Sequence, residues 1–190
     1  MKYKTLHHTA QKIDHLIDHH IHLGTSLFPT DELKNAILAK FADLRFQSYG
    51  WHKIVFNIRS EEQKIVLKVG TRKSIENDHR VYKRIPENLR HQLFARIFWH
   101  TKYCLLQEYG FPTYVTPEEL ALLRGVVYKY GIFDIKAENL RRIGGQVKII
   151  DANVTSIPMP IVLRKVDEVK PKLPSWLVLF IKRITRILNG

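Results

Sequence analysis

The chain has 190 residues, 45% hydrophobic and 26% charged, the balance of an ordinary globular protein with room for one sizeable core or two small lobes sharing an interface. Its 31 Lys and Arg against 18 Asp and Glu leave a net charge of +13, which favours polyanionic partners: nucleic acid, an anionic membrane surface or nucleotide phosphates. The lone cysteine, Cys104, excludes an internal disulfide and a multi-cysteine zinc site and fits a reducing compartment. No run of about 18 apolar residues offers a membrane span. MKYKTLHHTAQ has no apolar core of signal-peptide length, so the expected location is cytoplasmic, peripheral to a membrane at most.

Along the chain, Ile13, Leu16, Ile17 and Ile21 form a partial helical stripe over residues 9–23. His15, His19 and His22 fall at i, i+4 and i+7 there, a spacing that could hold a metal, although a solvated helix face is the plainer reading. FPTDELKNAILAKFADL is a firmer helix, with Thr30 as cap, Asp31 and Glu32 in its first turn, and Leu33, Ile37, Leu38 and Phe41 on one face. The period then changes: Ile54, Phe56 and Ile58 alternate, RSEEQ is a polar turn, and KIVLKVG is a β-branched run, so an antiparallel hairpin is expected. SIENDHRVYKRIPENL returns to helix, with Ser74 as candidate cap and Ile75, Tyr82, Ile85 and Leu89 at helical spacings. ARIFWHTKYCLLQEYG predicts two strands, and TPEELALLRGVVYKYG a helix capped by Thr116 with Pro117 at its first position. In LPSWLVLFIKRITRILNG, Trp176, Phe180, Ile184, Ile187 and Leu188 form an apolar face beside Lys182, Arg183 and Arg186, a helix to seal a core, to lie on an anionic membrane surface or to dock a partner.

The chemistry concentrates in YGIFDIKAENLRRIGGQVKIIDAN, residues 130–153. Gly144 and Gly145 form a two-residue hairpin turn, so the returning strand can bring Asp151 back beside Asp134 and Asn139. Oxygens from Asn139 and Asp151 suit Mg²⁺, which accepts hard ligands and shares its shell with water and phosphates. Asp134 could accept a hydroxyl proton from a nucleophile, and Lys136 could set positive charge on a transferring phosphoryl group.

DIKAEN followed by IIDAN resembles the catalytic loop and metal-binding aspartate of the protein kinase-like superfamily, and IVLKVG resembles its ATP-anchoring lysine strand. The resemblance covers roughly residues 45–155 and is to minimal, RIO-like or Bud32-like members. It implies an α+β, two-lobed protein kinase-like fold with a shortened C-lobe: a helical extension over 1–44, an N-lobe over 45–109, and a reduced C-lobe over 110–190 ending in the basic amphipathic helix. By the same resemblance Lys68 would hold the ATP phosphates, with Glu76 as its helical acidic partner and Asp78 the next choice. Gln107 and Glu108 would lie in the hinge, and Gly50 with Ser48 in a reduced phosphate loop. Asp134 would orient the acceptor hydroxyl, Asn139 and Asp151 would bind Mg²⁺ or Mn²⁺, and Lys136 matches the lysine of Ser/Thr protein kinases. Ile132 and Phe133 stand where many kinases have His-Arg, and Asp151-Ala152-Asn153 replaces Asp-Phe-Gly. The implied function is ATP- and Mg²⁺-dependent phosphoryl transfer to a hydroxyl, a protein sooner than a small molecule. Two alternatives stand beside it: a nucleotide-binding regulatory pseudokinase, and a basic accessory protein for nucleic acid or membrane surfaces.

Overall fold

Strands that alternate apolar and polar residues need a cover for one face only, but the inner strands of the central sheet of this protein are buried on both. The computed structural model describes residues 3–22, 30–50, 52–61, 64–133 and 135–154. Strands β1 (Leu44–Tyr49), β2 (Lys53–Ile58), β3 (Ile65–Gly70), β4 (Ile97–His100) and β5 (Cys104–Glu108) form a five-stranded sheet in the order β1-β2-β3-β5-β4. Every neighbouring pair is antiparallel. Ile54, Phe56, Ile58, Ile65, Leu67, Val69 and Leu106 pack on one face against Ala10, Ile13, Leu16 and Ile17 of α1 (Lys4–His22) and Leu33 and Ile37 of α2 (Asp31–Lys40). Asp14 fastens α1 to the β4–β5 turn, accepting hydrogen bonds from Thr101 Oγ1 at 3.0 Å, Lys102 N at 3.1 Å and Tyr103 N at 3.0 Å.

The opposite face follows from register, because paired residues point to the same side of a sheet. Lys53 pairs with Gly70, Val55 with Lys68, and Asn57 with Val66, while Lys68 pairs onward with Leu105 and Val66 with Gln107. This second face therefore carries two lysines and two carboxamides among apolar residues.

A second core joins α3 (Arg72–Arg84), α4 (Glu87–Leu93) and α5 (Pro117–Tyr128) to the hairpin β8 (Leu140–Ile143) and β9 (Gln146–Ile149). Val81, Tyr82 and Ile85 meet Leu123, Val127, Leu140, Val147 and Ile149 there. Gly144 and Gly145 have φ of 56° and 80°, the left-handed values that a two-residue hairpin turn demands. The two-residue strand β6 (Phe111–Pro112) pairs with β8, and β7 (Ile132–Phe133) pairs with β10 (Asn153–Val154). The architecture is a mixed α+β arrangement with two hydrophobic cores.

Three local expectations need correction. Helix α1 starts at Lys4 and not near residue 9. Helix α3 starts at Arg72: Thr71 is its cap, its Oγ1 accepting from Ser74 N at 3.2 Å, so Ser74 lies inside the first turn. The apolar spacing that continues to Leu89 spans two helices, because Pro86 ends α3 and opens α4. Thr30 and Thr116 cap α2 and α5 as expected, the latter in a reciprocal box with Glu119. His15 and His19 are exposed, and no group of three or more metal-ligating side chains occurs among the described residues. No described helix is long and apolar enough to cross a membrane. The basic tail with Trp176 and Phe180 lies outside the described residues.

Candidate functional site

Four charged side chains converge on the lysine-bearing face of the sheet. Lys53 of β2 and Lys68 of β3 point from diagonal positions of one hairpin toward α3 and the segment that follows β9. Lys53 Nζ donates to Asp78 Oδ1 at 2.7 Å and spans both carboxylate oxygens of Asp151, at 3.1 and 3.3 Å. Lys68 Nζ donates to the Ile150 carbonyl at 2.7 Å and lies 3.8 Å from Asp78 Oδ2. Lys53, Lys68 and Asp78 are buried, whereas the Asp151 side chain keeps 40% of its surface. Asp151 is the edge at which the cluster meets solvent.

The electrostatics follow from burial opposed by pairing. Burial pushes the Lys68 ammonium down, more than Asp78 and Asp151 restore. Burial alone would also lower Lys53, but the two carboxylates outweigh it and hold that ammonium above its usual range. Burial likewise acts to raise Asp151, and the two lysines outweigh it and hold the carboxyl low. Asp78, with less access to water, is pushed up by burial.

Backbone ties bring the rest of the site to this point. Ile150 N donates to the Asn139 carbonyl at 2.8 Å while its own carbonyl is taken by Lys68. One peptide segment thus links Lys68, Asn139 and Asp151. Ala152 is buried in the second core, and its carbonyl accepts from Asn77 Nδ2 of α3 at 3.2 Å. Lys136 is exposed and opens the short turn Ala137–Asn139, and Arg124 of α5 holds that loop through the Ile135 carbonyl at 2.8 Å. Asp134 lies outside the described residues; its neighbour Phe133 pairs with Asn153, two residues past Asp151.

Other expected site residues take different places. Glu76 is not the acidic partner of Lys68: it is exposed and bonds Arg72 Nε at 2.7 Å on its own helix, and Asp78 occupies the partner position. Residues 76 and 78 differ by about 200° around a helix, so only one of them can face the sheet. Glu108 accepts from Arg96 N at 3.2 Å and meets Lys148 Nζ at 3.5 Å, joining β5 to β9. Gln107 is buried on the lysine face, and Gln107 Oε1 and Asn57 Oδ1, both flanking Val66, accept no hydrogen bond among the described residues. Ser48 pairs with Val55 and so shares that face. Gly50 is not sterically required, since a Cβ there would meet Lys53 O at an ordinary 3.7 Å. Of these two site glycines Gly70 is the demanding one: a Cβ would come within 2.8 Å of Lys53 Cγ and His52 O and 2.7 Å of Ser74 Oγ.

Lys53 is the site residue that the sequence reading missed. Its one local signal is register, since it alternates with Ile54, Phe56 and Ile58 and therefore shares a face with Lys68 once the hairpin is paired.

No protein-family model and no curated protein matches the chain. A solved structure of a ternary complex of streptomycin, ATP and APH(2")-IIa superposes on 68% of this chain and 74% of that chain, with 12% identity and a TM-score of 0.43.

Proposed function

We propose that this face binds ATP and that the chain transfers a phosphoryl group to a hydroxyl, as a small, two-lobed protein kinase-like enzyme. The observation that carries the reading is the meeting, around Ile150, of a buried strand lysine, a helical aspartate, an aspartate at the solvent edge and the Asn139 loop. The carboxylate of Asp151 and the carboxamide of Asn139 are hard oxygen donors that fit Mg²⁺ or Mn²⁺. A divalent ion there would neutralise charge on the bound phosphates.

The chain's own groups divide the remaining work. Asp78 and the Ile150 carbonyl fix Lys68, and Val55, Val66 and Leu105 give a base an apolar bed beside the side-chain oxygens of Asn57 and Gln107, which accept no hydrogen bond among the described residues. Asp134 takes the acceptor's proton as its oxygen attacks the γ-phosphorus; the bond to the β–γ bridging oxygen breaks and ADP leaves. Lys136 places positive charge beside the transferring group. A serine or threonine hydroxyl of a protein is the favoured acceptor.

Melting curves and transfer assays test this reading together. ATP with Mg²⁺ should raise the melting temperature of the wild type by binding the native state, and Lys68→Ala and Asp151→Ala should each remove the shift. Asp134→Ala should keep the shift and lose about 10²-fold or more in turnover of labelled ATP with protein extract as acceptor. Equal stabilisation of all variants would overturn the site. Nucleotide binding without transfer by the wild type would leave the regulatory pseudokinase.

A further inference from the structure

Lys68 is the lysine to which the kinase-like pattern gives the phosphates, yet the structure commits its ammonium elsewhere. Its side chain is 5% exposed, one N–H is spent on the Ile150 carbonyl at 2.7 Å, and Asp78 Oδ2 stands 3.8 Å away. Lys53 differs in one respect that matters. Its ammonium reaches past Asp78 to Asp151, whose side chain is 40% exposed, so it is the cation at the mouth of the cluster. Gly70, its cross-strand partner, makes that reach possible, because any Cβ there would collide with the Lys53 stem.

Resting on the reading of this face as a nucleotide site, we propose that Lys53 is the phosphate-contacting lysine. It exchanges Asp151 for a ligand phosphate while Asp78 keeps hold of it. In the free protein two ammonium groups balance two carboxylates. Lys53 engages both oxygens of Asp151, the hard donors that a divalent ion would need, so a loaded site must release Lys53 from them. The released ammonium retains Asp78 at 2.7 Å. It is then short of one anion in a buried setting, and a phosphate oxygen supplies it. Lys68 keeps the structural task of tying β3 to the segment before Asp151.

The test uses the full chain with tripolyphosphate in EDTA, with adenosine, and with ATP plus Mg²⁺, each followed by calorimetric titration. Lys53→Met should weaken tripolyphosphate binding at least tenfold and leave adenosine binding unchanged. Asp151→Ala should strengthen metal-free tripolyphosphate binding several-fold by removing the competing carboxylate, and the double variant should be as weak as Lys53→Met. That gain is read without altering Lys53, so it stands even where Lys53→Met fails to fold. If Lys53→Met matches wild type while Lys68→Met loses tripolyphosphate, the proposal is overturned. It is overturned as well if neither wild type nor Asp151→Ala binds tripolyphosphate. Failure of the nucleotide reading has a different signature: wild type binds neither adenosine nor ATP with Mg²⁺, whatever the tripolyphosphate series returns.

Discussion

Asp78 holds two ammonium groups in a place where water cannot replace it. Its side chain is 4% exposed and its two oxygens face Lys53 and Lys68. Asp78→Asn keeps the shape and removes the charge, leaving two buried lysines to share Asp151. Breaking one partner out of a buried pair costs about 3–5 kcal/mol, so urea denaturation should show a loss of that order. Glu76→Gln should leave the midpoint where it is, since Glu76 and Arg72 are largely exposed; an equal loss in both variants would mean that the partner of Lys68 has been misassigned. The difference was legible in the spacing. Ile75, Asp78 and Tyr82 fall at i, i+3 and i+7 and are all buried, so Asp78 lies on the apolar stripe and Glu76 off it. Lys53 was less legible, because the polar face of an antiparallel hairpin normally meets water. Only the arrival of α3 and of residues 150–152, about 25 and 98 positions away in the chain, makes that face interior.

At the scale of elements, two of the three helix starts with a side-chain cap, those of α2 and α5, were readable, and the third, that of α3, was displaced by three residues. The Thr116-Pro117-Glu118-Glu119 signal yields a full capping box, with bonds of 3.0 and 3.2 Å. Ser74 was the candidate cap of α3, but Thr71, one residue beyond the Gly70 that ends β3, holds that place. In the protein Ser74 Oγ instead donates back to the Thr71 carbonyl at 2.9 Å. Helix α3 carries both Asp78 and Asn77, the residues that reach Lys53 and the Ala152 carbonyl, so its first turn bears on the site as well as on stability. Thr71→Ala should cost about 1 kcal/mol and should also weaken the stabilisation by ATP with Mg²⁺, read as a smaller melting shift at fixed ligand. A variant that loses stability but keeps the full ligand shift would confine the cap to a local role.

Across the whole molecule, the residues that look like an N-terminal extension form the cover of the main sheet. Ala10, Ile13, Leu16 and Ile17 are all buried against the face built from Ile54, Phe56, Leu67 and Leu106, and Asp14 pins the same helix to the β4–β5 turn. The partial apolar stripe in the sequence understated this, because Asp14 and Asp18 interrupt it; both acids prove to be anchors, Asp18 accepting from Tyr103 OH at 2.8 Å. Removing residues 1–22 would strip α1 from one face of the sheet and leave only α2 to cover it. Burial of Ile13, Leu16 and Ile17 is worth about 1.5–3 kcal/mol each, a sum comparable with the roughly 5–15 kcal/mol by which a whole domain is stable. The truncated chain should therefore be recovered insoluble, or soluble without a cooperative melt by circular dichroism. Leu16→Ala and Ile17→Ala in the full chain should each lower the midpoint by an amount that reflects a buried cavity, about 2–5 kcal/mol. A soluble truncated chain with the wild-type melting temperature would show instead that α1 is an appendage and that the sheet face is closed by some other part of the chain.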